Sequence, residues 1–498
     1  MEKKSLTYRN SALLYILFLL IATAFLLIYS FTTSPLYVCE GNDSAVFKTV
    51  GLGLLEGKIP YRDLFDHKGP ILYFIEALGL YLSKIYGILI LQILSLSITL
   101  FIWYKTAYII HEKVFPAILS VASVSFIPFS FCINGGNQCE EWMLPFLSLS
   151  YYIGFKIITD KCSSILSSLF TIGLCFTLTF FIRPNDAVSQ IGVISFIIIV
   201  YCYYKYGIFK TIKAITFFFL AVLVVSVPIL LYFYINDSLR DLFEGLIGFN
   251  IKYASEYKTF SHISTYKLLY LLIPYAICCV YSIKYYRRIS FIIVPCWTLS
   301  FLLMGPMVRF QYPIIAVMPL IIICCIFLFD LSKSHPISGL VLNTCFVMPY
   351  LLFGYNPILR EIGKMYKTDS NLYKSCYAET DKLFEKIPLK ERNQVWNLNL
   401  GVVGLCNGFS DPGASAIGTL FHFGFTQMNK YTFPSRAKEI DPKGYEEEIQ
   451  KLHKIRPKWI VAINESDIPE LSFLRNYYTP FGETDRNVCS ITLYKRNE

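Results

Sequence analysis

Long apolar runs, each near the length that a helix needs to cross a bilayer, are the feature that most constrains this fold. Hydrophobic residues make up 55% of the 498 positions and charged residues only 16%, whereas soluble domains have about 25% charged residues. The sequence therefore predicts a polytopic α-helical membrane protein with about 11 transmembrane helices. The runs lie at 11–31, 86–106, 114–132, 142–158, 164–182, 187–204, 214–234, 266–283, 289–305, 312–330 and 336–355.

The segment 70–83 is apolar but too short for a span, and it contains Glu76. Segments of about 10–14 apolar residues more often lie at the membrane surface or re-enter it than cross it. We therefore expect an interfacial or re-entrant helix here. The first run is too long for the core of a signal peptide, so we expect it to be an uncleaved anchor.

The distribution of charge predicts the orientation of the chain. If the N-terminus is cytoplasmic and 70–83 does not span, the short cytoplasmic loops collect positive charge, as topology rules require. The acidic residues then gather on the outer face. Because topology accounts for the net charge of +10, we expect no nucleic-acid partner. The basic residues of the predicted cytoplasmic side are Lys105, Lys113, Lys156, Lys161, Lys205, Lys210, Lys213, Lys284, Arg287, Arg288 and Lys333.

The composition becomes polar after about position 357. Segments 394–400, 458–463 and 488–495 have strand-like composition, and 441–457 carries an early proline, early acids and late basic residues, which predict a helix. We therefore expect a transmembrane domain over 1–356 with outer loops 32–85 and 133–141. A small α/β extracytoplasmic domain over 357–498 would follow it, with a structural or acceptor-positioning role.

The first outer loop is dense in ionisable residues. Charges beside a bilayer are costly unless they are solvated or used, so this loop is a candidate site, and a solvated connection is the plain alternative. A second acidic pair, Glu140 and Glu141, lies in the next outer loop, and Arg183 and Arg309 lie at predicted membrane edges. The ionisable residues of the first loop are Glu40, Asp43, Glu56, Asp63, Asp66, His67 and Lys68.

Residues 40–145 resemble the GT-C class of membrane glycosyltransferases, in particular the branch with protein O-mannosyltransferases and the lipid A aminoarabinose transferase. That class has an Asp early in a long first outer loop, then roughly G-x-x-P-Y-x-D and K-x-P. In this chain the corresponding residues are Asp43, then Gly57, Pro60, Tyr61 and Asp63, then Lys68, Gly69 and Pro70. The chain departs from the class in spacing Glu40 and Asp43 by three, and in having Gln311 before Tyr312 where His-Tyr is usual.

The resemblance implies an inverting glycosyltransferase of the bacterial inner membrane that acts in cell-envelope glycan biosynthesis. It would move a sugar from a polyprenyl-phosphate donor to a hydroxyl of a lipid, glycan or protein acceptor on the extracytoplasmic side. Asp43 would be the catalytic base, although it also suits a helix cap. The substrate-binding residues would be Tyr61, Asp63, His67, Lys68, Arg183 and Arg309.

Glu140 and Glu141 would bind a divalent metal ion, because hard oxygen ligands suit Mg, Mn or Ca. The alternative is an acidic first turn that stabilises the helix dipole. Neighbouring residues on a helix point about 100° apart, so we expect only one of the two to face the site.

Two other functions compete with sugar transfer. A flippase or transporter would carry charges or helix breaks near the bilayer centre, whereas the predicted spans are nearly free of charge. An O-antigen-type polymerase or ligase also works on lipid-linked glycans outside the membrane. It would rely on outer-loop arginines and would need neither the early Asp43 nor a polar C-terminal region.

The orientation predicts that a tag inserted after Asn356 is accessible from outside. Protease added to spheroplasts should remove such a tag, while a tag at the N-terminus should be protected. Protection of the tag after Asn356 would mean that the predicted number of spans is wrong by one.

Overall fold

The computed structural model describes residues 2–30, 32–36, 42–112, 117–118, 121, 136–256, 280, 282–284, 286–304, 370–398, 423–432, 434–463, 471–485 and 491–497. The predicted spans 312–330 and 336–355 lie outside these residues, as do most of 114–132 and 266–283, Glu40 and Arg309.

Apolar helices form the first part of the chain, and among the described residues seven of them correspond to predicted spans. Four helical stretches in this described part are long and apolar enough to cross a membrane: Ala12–Tyr29, Gly87–Ile109, Pro184–Tyr206 and Ile208–Ile235. The helices are α1 (Glu2–Tyr29), α2 (Asn42–Leu55), α3 (Pro70–Leu82), α4 (Gly87–His111), α5 (Cys139–Ile158), α6 (Ile165–Phe180), α7 (Pro184–Tyr206, with a π-helical stretch Ala187–Gly192), α8 (Ile208–Ile235), α9 (Leu239–Phe243), α10 (Phe249–Glu256) and α11 (Arg287–Met304).

One end of the helical bundle collects the residues that charge patterning assigned to the cytoplasm. Asp160, after α5, pairs with Lys205 at the end of α7 and with Arg288 at the start of α11, the latter at 3.3 Å. Lys161 pairs with Glu112, which follows α4, at 2.9 Å. The ends of α4, α5 and α7 and the start of α11 therefore lie together, and the loops near α2 and α3 lie at the opposite end.

Helix α3 is a short apolar helix of 13 residues, in agreement with the expectation that 70–83 does not span. The turn between α3 and α4 is tight and requires glycine at position 87, because a Cβ on Gly87 would lie 1.8 Å from the Gly79 carbonyl oxygen. The chain therefore turns from α3 directly into α4. Only α4 carries it to the end where Glu112 lies.

Gly69 brings the end of the first outer loop against the turn between α6 and α7. Its backbone N–H donates to the Ile182 carbonyl at 2.9 Å, and the N–H of Ile71 donates to the Phe181 carbonyl at 3.1 Å. A Cβ at Gly69 would lie 1.9 Å from the Phe181 oxygen, so only glycine fits. This contact places Lys68 beside the segment that leads into Arg183.

The C-terminal part contains a four-stranded mixed sheet with the order β1-β2-β4-β3. Strand β1 pairs parallel with β2, and the other two pairings are antiparallel. Three of the strands overlap the segments predicted from composition, and α14 corresponds to the helix predicted over 441–457. The elements are α12 (Ser370–Glu385), β1 (Val395–Asn397), α13 (Pro434–Ile440), α14 (Pro442–Ile455), β2 (Trp459–Ile463), α15 (Leu471–Tyr477), β3 (Tyr478–Glu483) and β4 (Ile491–Arg496).

The sequence patterns did not reveal β3, α12, α13 or α15. Strand β3 contains Pro480 and Gly482, which weaken strand propensity, and a register irregularity between them accommodates both residues. Two apolar clusters cover the two faces of the sheet, one around Trp459 and Phe384 and one around Trp396 and Phe473.

Candidate functional site

The first turn of α2 and the turn before α5 meet through side-chain hydrogen bonds. Asn137 Nδ2 donates to Ser44 Oγ at 3.0 Å, and Trp142 Nε1 donates to Asn137 Oδ1 at 3.0 Å. Asn137 has a positive φ of 59°, which asparagine tolerates better than most residues. Asp43 precedes Ser44 and Glu140 follows Asn137 by three positions, so the two loops that carry these acidic residues come together.

Glu140 forms a buried ion pair with Arg183. The Glu140 Oε1 to Arg183 Nη1 distance is 2.6 Å, and Arg183 Nε lies 3.1 Å from Asp186 Oδ2. The Glu140 and Asp186 side chains are 1% and 8% exposed, while Arg183 is 17% exposed. A buried charge is stable only when it is paired and hydrogen-bonded, so the guanidinium fixes two carboxylates from different elements.

Glu141 has a different role from its neighbour. Its Oε1 accepts the backbone N–H of Gln138 at 3.0 Å, which completes a capping box at the start of α5. Its Oε2 accepts from Gln92 Nε2 at 3.0 Å. Glu141 therefore holds α5 against α4, and Glu140 faces the ionic cluster, consistent with the expectation that only one of the pair would.

Asp66, His67 and Lys68 form a second polar cluster at the end of the first loop. His67 Nδ1 lies 3.2 Å from Asp66 Oδ1, and Lys68 Nζ lies 2.7 Å from His67 Nε2. The Tyr73 hydroxyl donates to Asp66 Oδ2 at 2.8 Å. The fitting tautomer is a neutral imidazole that donates from Nδ1 to the Asp66 carboxylate and accepts from the Lys68 ammonium.

Electrostatics favour that protonation state. Burial and the Lys68 charge lower the pKa of His67 from its ordinary value, against the opposing effect of Asp66 and Asp43. Burial alone would raise the pKa of Asp66, but His67, Lys68 and the Tyr73 hydroxyl outweigh it, and the pKa lies well below its usual range. Near neutral pH the Asp66 carboxyl is therefore ionised and the His67 imidazole neutral, in keeping with this tautomer.

The helix α10 covers the His67 ring. Phe249 and Tyr253 stack on the imidazole at centroid distances of 5.5 and 5.3 Å, with interplanar angles of 28° and 25°. Asn250 Nδ2 donates to the His67 carbonyl at 2.8 Å. The His67 ring is thus held by stacking on its face and by contacts at both ring nitrogens, and the His67 carbonyl is held by Asn250.

The two clusters form one site. Lys68 interacts electrostatically with Asp186 and Cys139, which adjoin the Arg183 pair, and Asp43 interacts with His67. Lys68 and Arg183 therefore lie close to several carboxylates at one end of a bundle of apolar helices. Cations in this setting can stabilise a developing phosphate charge, and a carboxylate can accept a proton from a hydroxyl.

Solved structures share this fold. ArnT from Cupriavidus metallidurans bound to undecaprenyl phosphate aligns with a TM-score of 0.60 and 10% identity, covering 97% of each chain. The oligosaccharyltransferase of Archaeoglobus fulgidus, in a complex with Zn and sulfate, aligns with a TM-score of 0.51 and 10% identity over 94% of this chain and 71% of that one. No protein-family model and no curated protein matches the sequence.

The chain has the GT-C fold. This confirms the resemblance drawn from the first outer loop. At 10% identity the likeness concerns the fold alone and does not identify the functional residues of this chain.

The Glu140–Glu141 pair does not fit a shared metal ion in this chain. Glu140 pairs with Arg183, and both oxygens of Glu141 accept hydrogen bonds from Gln138 and Gln92. Within the described residues, no group of three or more His, Cys, Asp or Glu side chains is arranged to hold a metal. We therefore derive no step through a metal.

Two predicted substrate-binding residues have internal partners instead. Tyr61 is fully buried, and its hydroxyl donates to the Lys68 carbonyl at 2.6 Å. Asp63 pairs with the adjacent Arg62 at 2.9 Å and accepts the Ile59 N–H at 2.8 Å. The hydrogen bonds of Tyr61 and Asp63 therefore stabilise the loop that carries Lys68.

Asp66, Asp186 and Tyr73 belong to the site although they were not among the predicted site residues. The signal for Asp186 was its position three residues after Arg183 at a helix start, which suits an ion pair. For Asp66 the signal was its place beside His67 and Lys68, in a run of three consecutive ionisable residues. Asn250 gave no signal, because it is remote in sequence and its contact depends on the packing of α10.

The lowered pKa of His67 predicts a loss of stability on mild acidification. The unfolded chain takes up this proton below about pH 6.5, while the folded chain resists it, so the contribution of His67 to the free energy of unfolding should fall as the pH falls from 7 to 5. Comparison with a variant that lacks the imidazole isolates this contribution. The contribution of Asp66 is lost only below about pH 4, the ordinary carboxyl range, and so does not overlap. Thermal unfolding in detergent at pH 7 and 5 measures the fall.

The His67→Gln variant should lose less stability than the wild type over this pH interval, because glutamine does not titrate. His453→Gln, on exposed α14, is the control and should follow the wild type. Equal losses in all three proteins would contradict the assignment.

Proposed function

We propose that this protein is a membrane glycosyltransferase that transfers a sugar from a polyprenyl-phosphate donor to an acceptor hydroxyl. One observation carries the proposal: Lys68 and Arg183 lie beside Asp43, Asp66 and Glu140 at one end of apolar helices. The GT-C fold supports it, as does the undecaprenyl phosphate bound to the ArnT neighbour.

Lys68 and Arg183 would bind the donor phosphate. The ammonium of Lys68 donates to a neutral imidazole and is held in place by it, so its charge remains available for an anion. The Arg183 guanidinium is oriented by Glu140 and Asp186 before any substrate arrives. Such preorganised cations stabilise the negative charge that grows on the departing phosphate.

Asp43 would be the base. Glu140 is almost fully buried and committed to Arg183, whereas Asp43 is only partly buried, in the first turn of α2. In an inverting transfer the acceptor oxygen attacks the anomeric carbon as the bond from that carbon to the phosphate oxygen breaks. The hydroxyl proton passes to Asp43, and polyprenyl phosphate leaves as the anion held by Lys68 and Arg183.

We infer that the site faces the extracytoplasmic side of a bacterial inner membrane. The cluster of Asp160, Lys161, Lys205 and Arg288 at the other end is rich in positive charge, which favours the cytoplasm for that end. About 11 spans and an extracytoplasmic α/β domain over 357–498 complete this arrangement. The acceptor would be a lipid, glycan or protein of the cell envelope.

The charge arrangement favours surface chemistry over transport. A transporter would gather its ionisable groups near the bilayer centre. In the part of the chain that the structure describes, the paired charges of the site lie at helix ends and in loops, as at Glu140, Arg183 and Lys68.

Asp43→Asn should reduce sugar transfer by about 10²-fold or more, because the amide keeps the shape but cannot accept a proton. Purified protein with a polyprenyl-phosphate sugar donor, assayed for released polyprenyl phosphate, measures this. Asp237→Asn, an exposed outer-loop carboxylate, is the matched control and should retain full activity. Near-normal transfer by Asp43→Asn would remove Asp43 from the mechanism.

A further inference from the structure

The C-terminal part of the chain contacts the loop that carries His67 and Lys68. Residues 426–432, which we call the brace segment, lie along residues 56–65 of the first outer loop. Lys58 Nζ donates to the Gln427 carbonyl at 2.7 Å and also to the Thr426 hydroxyl. The Thr426 hydroxyl in turn donates to Glu56. One end of the brace segment is thus bonded to the start of the loop.

The other end of the brace segment holds Phe65. The Phe65 N–H donates to the Lys430 carbonyl at 2.7 Å, and the Thr432 hydroxyl donates to the Phe65 carbonyl at 2.8 Å. The Phe65 ring packs edge-to-face against Tyr431 at 5.3 Å and against Phe249 at 5.0 Å. Both backbone polar groups of Phe65 and its ring therefore have partners in the brace segment.

The brace segment is itself anchored to the sheet. The Met428 N–H donates to the Val395 carbonyl at 2.7 Å, and the Asn397 N–H donates to Asn429 Oδ1 at 2.8 Å. Gln427 and Asn429 side chains both donate to the Tyr431 carbonyl, which fixes the turn between them. These bonds therefore connect β1 to Phe65 through the brace segment.

The C-terminal part of the chain also contacts α9 and the helix α10, which covers His67. Lys430 Nζ lies 3.1 Å from Asp241 of α9, and Lys252 of α10 lies 3.5 Å from Asp441, at the start of α14. These pairs are partly exposed, so their individual contributions to stability are small. Together with the contact between Phe65 and Phe249, they hold α9 and α10 against the C-terminal part of the chain.

We propose that the brace segment is a positioning element of the donor-phosphate site, and that it sets where His67 and Lys68 lie by fixing Phe65. Phe65 precedes Lys68 by three residues, and Gly69 is held on the other side by the 181–182 turn. The loop between these two fixed points is short. A shift of Phe65 is therefore transmitted to Lys68, because a span of three residues cannot absorb it. The catalytic role of the site rests on the proposed function.

Two substitutions at Thr432 separate positioning from bulk packing. Thr432→Val keeps the shape and removes the hydroxyl that donates to Phe65, while Thr432→Ser keeps that hydroxyl. We expect Thr432→Val to raise the KM for the polyprenyl-phosphate sugar by roughly fivefold, with a smaller change in kcat. Thr432→Ser should restore the wild-type KM. Lys58→Met should act like Thr432→Val, and Lys454→Met on exposed α14 should not.

Hydrogen exchange provides a readout that does not require catalysis. Peptides covering 58–68 should exchange faster in Thr432→Val than in the wild type or Thr432→Ser. The Phe65 carbonyl then loses the Thr432 hydroxyl, so the neighbouring bond from the Phe65 N–H to the Lys430 carbonyl should open more often. If the wild type transfers no sugar, the proposed function fails, and exchange alone then decides the role of the brace. Unchanged exchange in Thr432→Val, an unchanged donor KM in an active enzyme, or equal loss in the Val and Ser variants would each overturn the proposal.

Discussion

The bridge from Glu140 through Arg183 to Asp186 is the interaction on which the rest of the site depends. It joins the start of α5 to the start of α7 with contacts of 2.6 and 3.1 Å between side chains that are mostly buried. Two carboxylates so close in a buried setting repel each other unless a cation lies between them. The guanidinium therefore determines how the N-terminal ends of these two helices approach, and removing it would leave uncompensated charge.

The second cluster depends on that frame. Gly69 packs against the Phe181 carbonyl in the turn between α6 and α7, so its position depends on these two helices. This contact places Lys68 near the ion pair of Arg183. The neutral imidazole of His67 then links Lys68 to the ionised Asp66, and α10 and Phe65 keep the ring in place. A stable helix frame, in which Glu140 and Asp186 hold Arg183, thus supports a loop in which Asp66 and His67 hold Lys68.

Local chemistry explains what the sequence could predict. Apolar runs predicted the helices because hydrophobic length is a local property, and the short 70–83 segment was assigned as non-spanning for the same reason. Lys68 was a site candidate because it lies in the charge-rich first loop. Glu140 was one because it lies in the next predicted outer loop, and Arg183 because it lies at a predicted membrane edge. The separate roles of Glu140 and Glu141 followed only in part, since the capping box with Gln138 depends on the preceding turn. The brace segment was beyond prediction, because its bonds to Lys58 and Phe65 cross more than 360 residues of sequence.

Binding of undecaprenyl phosphate to the purified protein tests the central claim, that Lys68 and Arg183 form one phosphate site. Native mass spectrometry or Trp fluorescence titration can compare the wild type with Lys68→Met and with Lys213→Met, an exposed lysine far from the site. We predict that Lys68→Met weakens binding by about tenfold, the effect of one lost charge-assisted contact, while Lys213→Met binds like the wild type. Equal affinity in all three proteins would contradict the account.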